Sequence, residues 1–577
     1  MWLDYGSPVT EMNALSRLSI RCAALVAGNL LAACLGPISV AASMPARGMV
    51  ASVQPLATQA GLNVLRQGGN AVDAAVAVAL TLGVVDTENS GLGGGCFMLI
   101  RRANGSMVAI DGREVAPGAA TRELFVRAGR ADTELSQIGA LASGVPGALA
   151  AYEFAVDHYG RKKLKDLILP AAEIAEQGFR LDGTYASSLR SVVHDLRRFE
   201  SSRAVFLRPD GKPFGTGDLL KQPELAASYR KIAVQGSKWF YRGAFAEAVE
   251  EWMKRNGGIL TAEDFRRYKV RLREPLACSY RGYTIVGFPP PSSGGVHVAQ
   301  ILNILEHFDL KSLDEATRLH VIAEAIKLAF ADRGYWLGDP DFAKVPRGLV
   351  DKKYAAALAA WINLERVTAV ESHGTPPDWQ DNVFKKHTTH FSVADGDGNW
   401  VACTATVNTS FGSKVVVPGT GVVLNNQMDD FSIQPGVTNF FGLVGAEANA
   451  VAAGKRPLSS MSPTIVLKDG KPMLALGAAG GPKIISQVVL VLVAMLDLGL
   501  TPEEALARPR IHHQWFPDEL LVEETLAPNL QADLERRGHK LRKSAASGVS
   551  QIVARSTGGS GFVGAADPRA GGNAAGW

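Results

Sequence analysis

KKHTTHFSVADGDGNWVACTATVNTSFG, residues 385–412, holds two alternating apolar–polar runs on either side of a turn rich in Asp and Gly. HFSVAD and WVACTATV read as the arms of a β-hairpin closed at DGDGN. With the turn centred on Asp397, Thr406 faces Thr388 and Asn408 lies just beyond it. Hydroxyls and an amide therefore gather around the start of one strand. Threonine runs on strands ordinarily reflect β propensity, and spacing alone favours that explanation. The segment in front is what sets this run apart. VTAVESHGTPPDWQDNVFKKH (367–387) is polar, carries two prolines and reads as an exposed loop. A loop that delivers a threonine to the first position of a buried strand is what a chain needs if it is cut before Thr388. The freed α-amino group would then be the base that activates its own hydroxyl.

Outward from the hairpin the chain is globular. Its 577 residues are 47% hydrophobic and 20% charged, enough apolar material for a large core. Formal net charge is +4 with no dense Lys/Arg block, which excludes a nucleic-acid binder. Arg17 and Arg21 precede CAALVAGNLLAACLGPISVAAS, the layout of an export signal with cleavage after Ala42 and a start at Met12. LAAC (31–34) also resembles a lipobox, which would place a lipid on Cys34; simple export to the periplasm or medium is preferred. Residues 1–42 are thus read as a signal peptide. Cys96, Cys278 and Cys403 are widely spaced and make neither a disulfide framework nor a metal knuckle.

Helical and strand patterns alternate before the hairpin. GGNAVDAAVAVALTLGVV (68–85) reads as a helix capped by Asn70. CFMLIRR and MVAIDGR pair around Asn104-Gly105; YTIVGF is a strand, PPPSSGG a loop and VHVAQILNILEHF a helix, with more helix over 314–338. Strands dominate afterwards, with VVLNNQ, PTIVLKDG and KPMLALGA expected among them. ISQVVLVLVAMLDL (485–498) reads as a buried helix, and the Gly-rich tail is expected to fray after Arg569.

Familiar catalytic motifs are missing. GLGGGCF (91–97) lacks the last glycine of a dinucleotide fingerprint, GAAGGPK (477–483) lacks the P-loop ending, and neither H-E-x-x-H nor G-x-S-x-G occurs. His512-His513 points to opposite sides of any strand, so no metal and no cofactor are expected.

HTTHFSVADGDGN, NTSFG, LNNQMDDFS, GKRPLSSMSPTIV and HHQW closely resemble the γ-glutamyltranspeptidase family. IDGREVAP, ASGVPG, FPPPSSGG and GDPDF agree in the same order, so the resemblance runs from about residue 45 nearly to the C-terminus. It implies an α/β fold, the four-layer αββα sandwich of the N-terminal nucleophile hydrolases. It implies autocatalytic cleavage between His387 and Thr388 into a large subunit (43–387) and a small subunit (388–577) that stay together as a heterodimer. Thr388 would attack the γ-glutamyl amide of glutathione or a related compound, and water or an amino-acid or dipeptide acceptor would take the acyl group. By the same resemblance Thr406 orients Thr388, and Gly480 and Gly481 supply oxyanion N–H groups. Arg113, Ser459 and Ser460 hold the substrate α-carboxylate; Asp430, with Asn408 and Gln427, holds the α-ammonium. Some bacterial members close a lid after DDFS through a tyrosine hydroxyl, where this chain has Phe441 in NFFGLVG.

Two other functions compete. A glutaryl (cephalosporin) acylase on the same scaffold has less use for Asp430, because its substrate lacks the ammonium. A non-catalytic binding protein would not need to keep Thr388, Thr406 and Gly480-Gly481 together.

Overall fold

The computed structural model describes residues 46–377, 390–557 and 561–577. The expected signal segment with Cys34, and the expected cleavage pair His387 and Thr388, lie outside the described residues. Two antiparallel sheets organise the rest. In chain order their strands are β1 (Met49–Ser52), β2 (Gly95–Arg101), β3 (Met107–Gly112), β4 (Arg271–Arg273), β5 (Leu276–Tyr280) and β6 (Tyr283–Gly287). They continue as β7 (His390–Ala394), β8 (Trp400–Thr406), β9 (Thr464–Lys468), β10 (Lys471–Ala479), β11 (Val549–Arg555), β12 (Phe562–Ala566) and β13 (Asn573–Gly576). The first sheet has the order β13-β1-β7-β8-β2-β3-β4 and the second β12-β11-β10-β9-β6-β5.

Side-chain alternation along these strands creates the layers. On β8, Val401, Cys403 and Ala405 join a core with helices α1 (Pro55–Arg66), α2 (Ala71–Val85) and α3 (Ala148–Tyr159). Trp400 and Ala402 point the other way and meet Ile465, Ala475 and Val553 of the second sheet. That sheet's outer face is covered by α4 (Ser293–Leu305), α5 (Glu315–Trp336) and α6 (Lys483–Leu496). The sequence of layers is helix, sheet, sheet, helix, as the resemblance implied.

Local chemistry explains the elements. Asn70 caps α2 by accepting the N–H of Val72 and Asp73 at 2.9 and 3.0 Å, and Asp73 accepts the N–H of Asn70 in return. The central hairpin has the expected register, with His390 opposite Thr404. Helix α6 is buried between the second sheet and α4, and among the described residues no helix is long and apolar enough to cross a membrane.

Three expectations need correction. VVLNNQ is not a strand: apart from the Val416–Val423 bridge, its N–H groups go to separate partners, Asn425 to the Gly93 carbonyl and Asn426 to that of Val407. A ladder cannot form when each backbone donor is claimed by a different segment. Helix α4 starts at Ser293, inside the expected PPPSSGG loop, capped by Ser292. A Cβ at Gly294 or Gly295 would sit 2.2 Å from the carbonyl oxygens of Met461 and Phe288, so these glycines permit close packing and do not break the helix. The tail does not fray after Arg569. Strand β13 closes the edge of the first sheet, pairing Asn573 with Ser52 and Gly576 with Met49. A sheet edge is satisfied by backbone pairing, to which low side-chain complexity is no obstacle.

Candidate functional site

Strand β8 ends at Thr406, beside the second sheet's strand β10, which ends at Ala479. Between these strand ends opens a cavity of about 190 Å³ lined by Thr406, Asn408, Asp430, Ser459, Ser460, Gly480 and Gly481. Phe440, Phe441 and Leu443 also line it.

Thr406 Oγ1 accepts the N–H of Asn408 at 2.8 Å. That bond bends the chain out of the strand, and Asn408 takes a left-handed conformation (φ 82°) that asparagine tolerates better than most residues. The Asn408 amide donates to the Asn426 carbonyl at 3.0 Å, tying the strand end to the segment that carries the acids. There a 3₁₀ turn, Gln427–Asp430, turns Asp430 into the cavity. Gln427 donates to Asp430 Oδ2 at 2.7 Å, and Asn449 donates to the Asp430 carbonyl at 2.7 Å.

Arg113 is fully buried behind Asp430 and does not line the cavity. Its Nη2 donates to Asp430 Oδ2 at 2.6 Å, and Glu114 lies 3.3 Å from its Nη1. The two residues expected at opposite ends of one ligand are thus each other's partners here. Sequence reasoning missed a second arginine. Arg333, within α5, donates to Ser293 Oγ at 3.0 Å and to Ser460 Oγ at 3.1 Å. Burial pulls its pKa down to about 10, against the attraction of Asp430. The only sequence signal was a charged Asp-Arg pair interrupting an apolar helix, which spacing cannot assign to a site.

Gly480 (φ 132°) and Gly481 (φ 60°) form the turn from β10 into Pro482 and α6. Both values are ones a side chain rarely adopts. At Gly481 a Cβ would stand 2.6 Å from the Phe441 ring, so that ring lies directly on the turn. The chain around it is fastened by polar side chains. Asn439 accepts the N–H groups of Phe441 and Leu443, Asp429 accepts that of Phe440 at 2.9 Å, and Gln514 donates to the Gly442 carbonyl at 3.0 Å. Burial lifts the Asp429 pKa to about 6, with Ser136 and the Phe440 N–H pulling it back and Asp430 adding to the rise.

His390 cannot serve as a charged group. Burial pushes its pKa down to about 3, and it bonds Thr404 and Ser392 between the sheets. Among the described residues no cluster of His, Cys, Asp and Glu could hold a metal ion. The arrangement is chemically specific: a carboxylate faces serine hydroxyls across a small cavity, beside a turn of two glycines that carry no side chain of their own.

The family model described as Gamma-glutamyltranspeptidase matches residues 57–577. The glutathione hydrolase proenzyme of Escherichia coli (strain K12) is 46% identical over 528 residues, which are 91% of this chain and 90% of that protein. The crystal structure of a cephalosporin acylase from Bacillus halodurans superposes with a TM-score of 0.83 at 31% identity, covering 92% of this chain and 96% of that one. A chain of the Helicobacter pylori gamma-glutamyltranspeptidase gives a TM-score of 0.54 at 42% identity, covering 55% of this chain and 92% of its own.

Proposed function

The chain belongs to the gamma-glutamyltranspeptidase family, and from that membership we propose how its cavity handles a γ-glutamyl group. The enzyme is a glutathione hydrolase and γ-glutamyltransferase made as a proenzyme. The observation that carries the site assignment is Asp430, an anion facing Ser459 and Ser460 beside the Gly480-Gly481 turn. A γ-glutamyl end is a zwitterion, so its ammonium goes to Asp430, with Asn408 and Gln427 close by. Its carboxylate goes to the two serine hydroxyls and to Arg113. Since Arg113 and Asp430 are paired beforehand, binding exchanges one internal ion pair for two crossed ones without leaving a buried charge uncompensated. Arg333 holds Ser460 from behind.

The precursor cuts itself between His387 and Thr388, giving subunits 43–387 and 388–577 after an export signal, 1–42, is removed. The His390–Thr404 pairing, on the strand that Thr388 precedes by two residues in sequence, supports Thr406 as the residue that orients the nucleophile. The α-amino group, with an ordinary pKa of about 7.7–8.0, is a competent base near neutrality. It takes the proton of the Thr388 hydroxyl as Oγ attacks the amide carbon. The N–H groups of the glycine turn receive the developing oxyanion. The C–N bond breaks, the amine leaves with the proton, and water or an amino-acid or dipeptide acceptor takes the acyl group.

The shared acylase architecture makes a glutaryl donor the natural competitor. Purified protein offered glutathione, with and without glycylglycine, and then γ-glutamyl and glutaryl anilides side by side, decides between them. Release of glutamate and formation of γ-glutamyl-glycylglycine are expected. A preference for the glutaryl anilide would overturn the assignment.

A further inference from the structure

Beside the candidate site lies a second cavity, of about 230 Å³, which shares Asn89, Ala479 and Gly480 with it. The two meet at the glycine turn. What distinguishes the second cavity is three carboxylates in its wall, Asp86, Glu88 and Asp182.

Two of these acids have ordinary structural work. Asp86 Oδ1 accepts from the Asn89 amide at 2.8 Å, and Asp182 caps the helix Gly183–Leu196 by accepting the N–H of Tyr185 at 2.8 Å. That work does not use Asp86 Oδ2 or Glu88 Oε2. Both oxygens are buried without a hydrogen-bond partner among the described residues, in side chains only 6% and 2% exposed. Among the described residues no Lys, Arg or His lines the cavity. The cation packed behind it, Arg510, donates to the Gly548 carbonyl at 3.0 Å and is paired with Asp567. Buried like charges are costly. Burial, with Asp182 adding to it, lifts the Asp86 pKa to about 7 although Asn89 opposes the rise; burial and then Asp86 hold Glu88 well above the carboxylate range. Buried acids with free oxygens, next to a transfer site and without a counter-ion among the described lining residues, make a receptor for a positive charge.

We propose that this cavity is an acceptor subsite for amines that carry a second, cationic nitrogen, such as diamines. The assignment rests on the transferase reading above. One ammonium sits among Asp86, Glu88 and Asp182. The other nitrogen, arriving neutral after losing a proton to solvent, attacks the ester carbon of the Thr388 acyl-enzyme. The C–N bond forms as the bond to Thr388 Oγ breaks, and the nitrogen's remaining surplus proton returns to Oγ by way of the α-amino group. The same carboxylates repel acceptors whose far end is an anion.

The test uses the processed enzyme, a γ-glutamyl anilide donor, and putrescine or glycylglycine as acceptor. Putrescine should half-saturate at lower concentration than glycylglycine. Asp182→Asn, which can still cap its helix, and Glu88→Gln should each raise the KM for putrescine about tenfold. The KM for glycylglycine and the rate of anilide hydrolysis should stay within about twofold, which also reports that the variants are folded. Calorimetric titration of the enzyme with putrescine alone should show proton release and tighter binding as pH rises through about 7, where Asp86 ionises. Equal shifts for both acceptors, or putrescine binding without any γ-glutamyl-putrescine while glycylglycine is used, would overturn the proposal. So would displacement of putrescine by MgCl₂ one for one, which would mark a metal site. If no acceptor of any kind is used, the transferase reading fails. Putrescine binding that weakens in Asp182→Asn would then still uphold the cation site, and absent binding would sink it.

Discussion

The floor and the roof of the candidate site are held by opposite means. The floor is a closed charge network: Arg113 on Asp430 and Glu114, Gln427 on Asp430, Arg333 on Ser460, all in buried side chains. The roof, Asn439 to Leu443, is a loop of half-buried residues with Phe440 56% exposed. It is fastened by a few polar side chains on backbone groups and by one ring lying on Gly481. A floor of that kind decides which charge pattern is accepted, and it cannot be altered without a cost to stability. A roof of that kind opens at low cost and so decides what else reaches the acyl-enzyme. Recognition and water access are therefore separable by mutation.

The largest expected effect belongs to the proposed nucleophile. Thr388→Ala should remain a single uncut chain and lose turnover by at least about 10³-fold, since in the proposed scheme nucleophile and processing group are the same hydroxyl. Gel electrophoresis and N-terminal sequencing of the wild type should show a smaller subunit beginning Thr-Thr-His-Phe-Ser. An uncut wild-type chain that turns over substrate would break the scheme at its root.

Next come the floor residues. Arg113→Ala removes the cation paired with two buried carboxylates and should destabilise the fold by about 3–5 kcal/mol in urea, with a steep rise in KM. Asp430→Asn keeps the volume and removes the anion, so γ-glutamyl substrates should suffer more than glutaryl ones. Equal losses on both would remove Asp430 from the ammonium role. Arg333→Gln should be milder, raising KM about tenfold with little change in kcat, because Arg333 reaches the cavity only through Ser460. An unchanged KM would make Arg333 a packing residue.

How much of this could be read from residues alone differs between floor and roof for a physical reason. The hairpin was legible because β alternation and a Gly/Asp turn are local, and the turn fixes the register that sets His390 opposite Thr404. The αββα layering and the choice of Arg113, Asp430, Ser459 and Ser460 came through motif resemblance, since contacts hundreds of residues apart leave no periodic trace. The Arg113–Asp430 pairing spans 317 positions and was invisible; charge complementarity within a site depends on distances that only the fold supplies. Arg333 was hidden on a core helix. The tail strand β13 was misjudged because its pairing partner, β1, stands at the other end of the chain.

The roof carries the smallest expected effect. Transfer outpaces hydrolysis only while the acyl-enzyme is shielded from water until an acceptor arrives. Phe441 covers Gly481 with a phenyl ring, and that contact is dispersion and area alone. Asn408 lines the same small cavity, so a hydroxyl on that ring would have an amide within the site to bond. We therefore expect the wild type to hydrolyse glutathione substantially without an acceptor, with modest stimulation by glycylglycine. Phe441→Tyr should raise the ratio of γ-glutamyl-glycylglycine to glutamate by about threefold, the effect of one neutral hydrogen bond worth about 0.6 kcal/mol. KM for the donor should be unchanged, because the floor is untouched. A ratio that does not move would show that Phe441 is not the gate; a donor KM that moves with it would show that roof and floor are one unit after all.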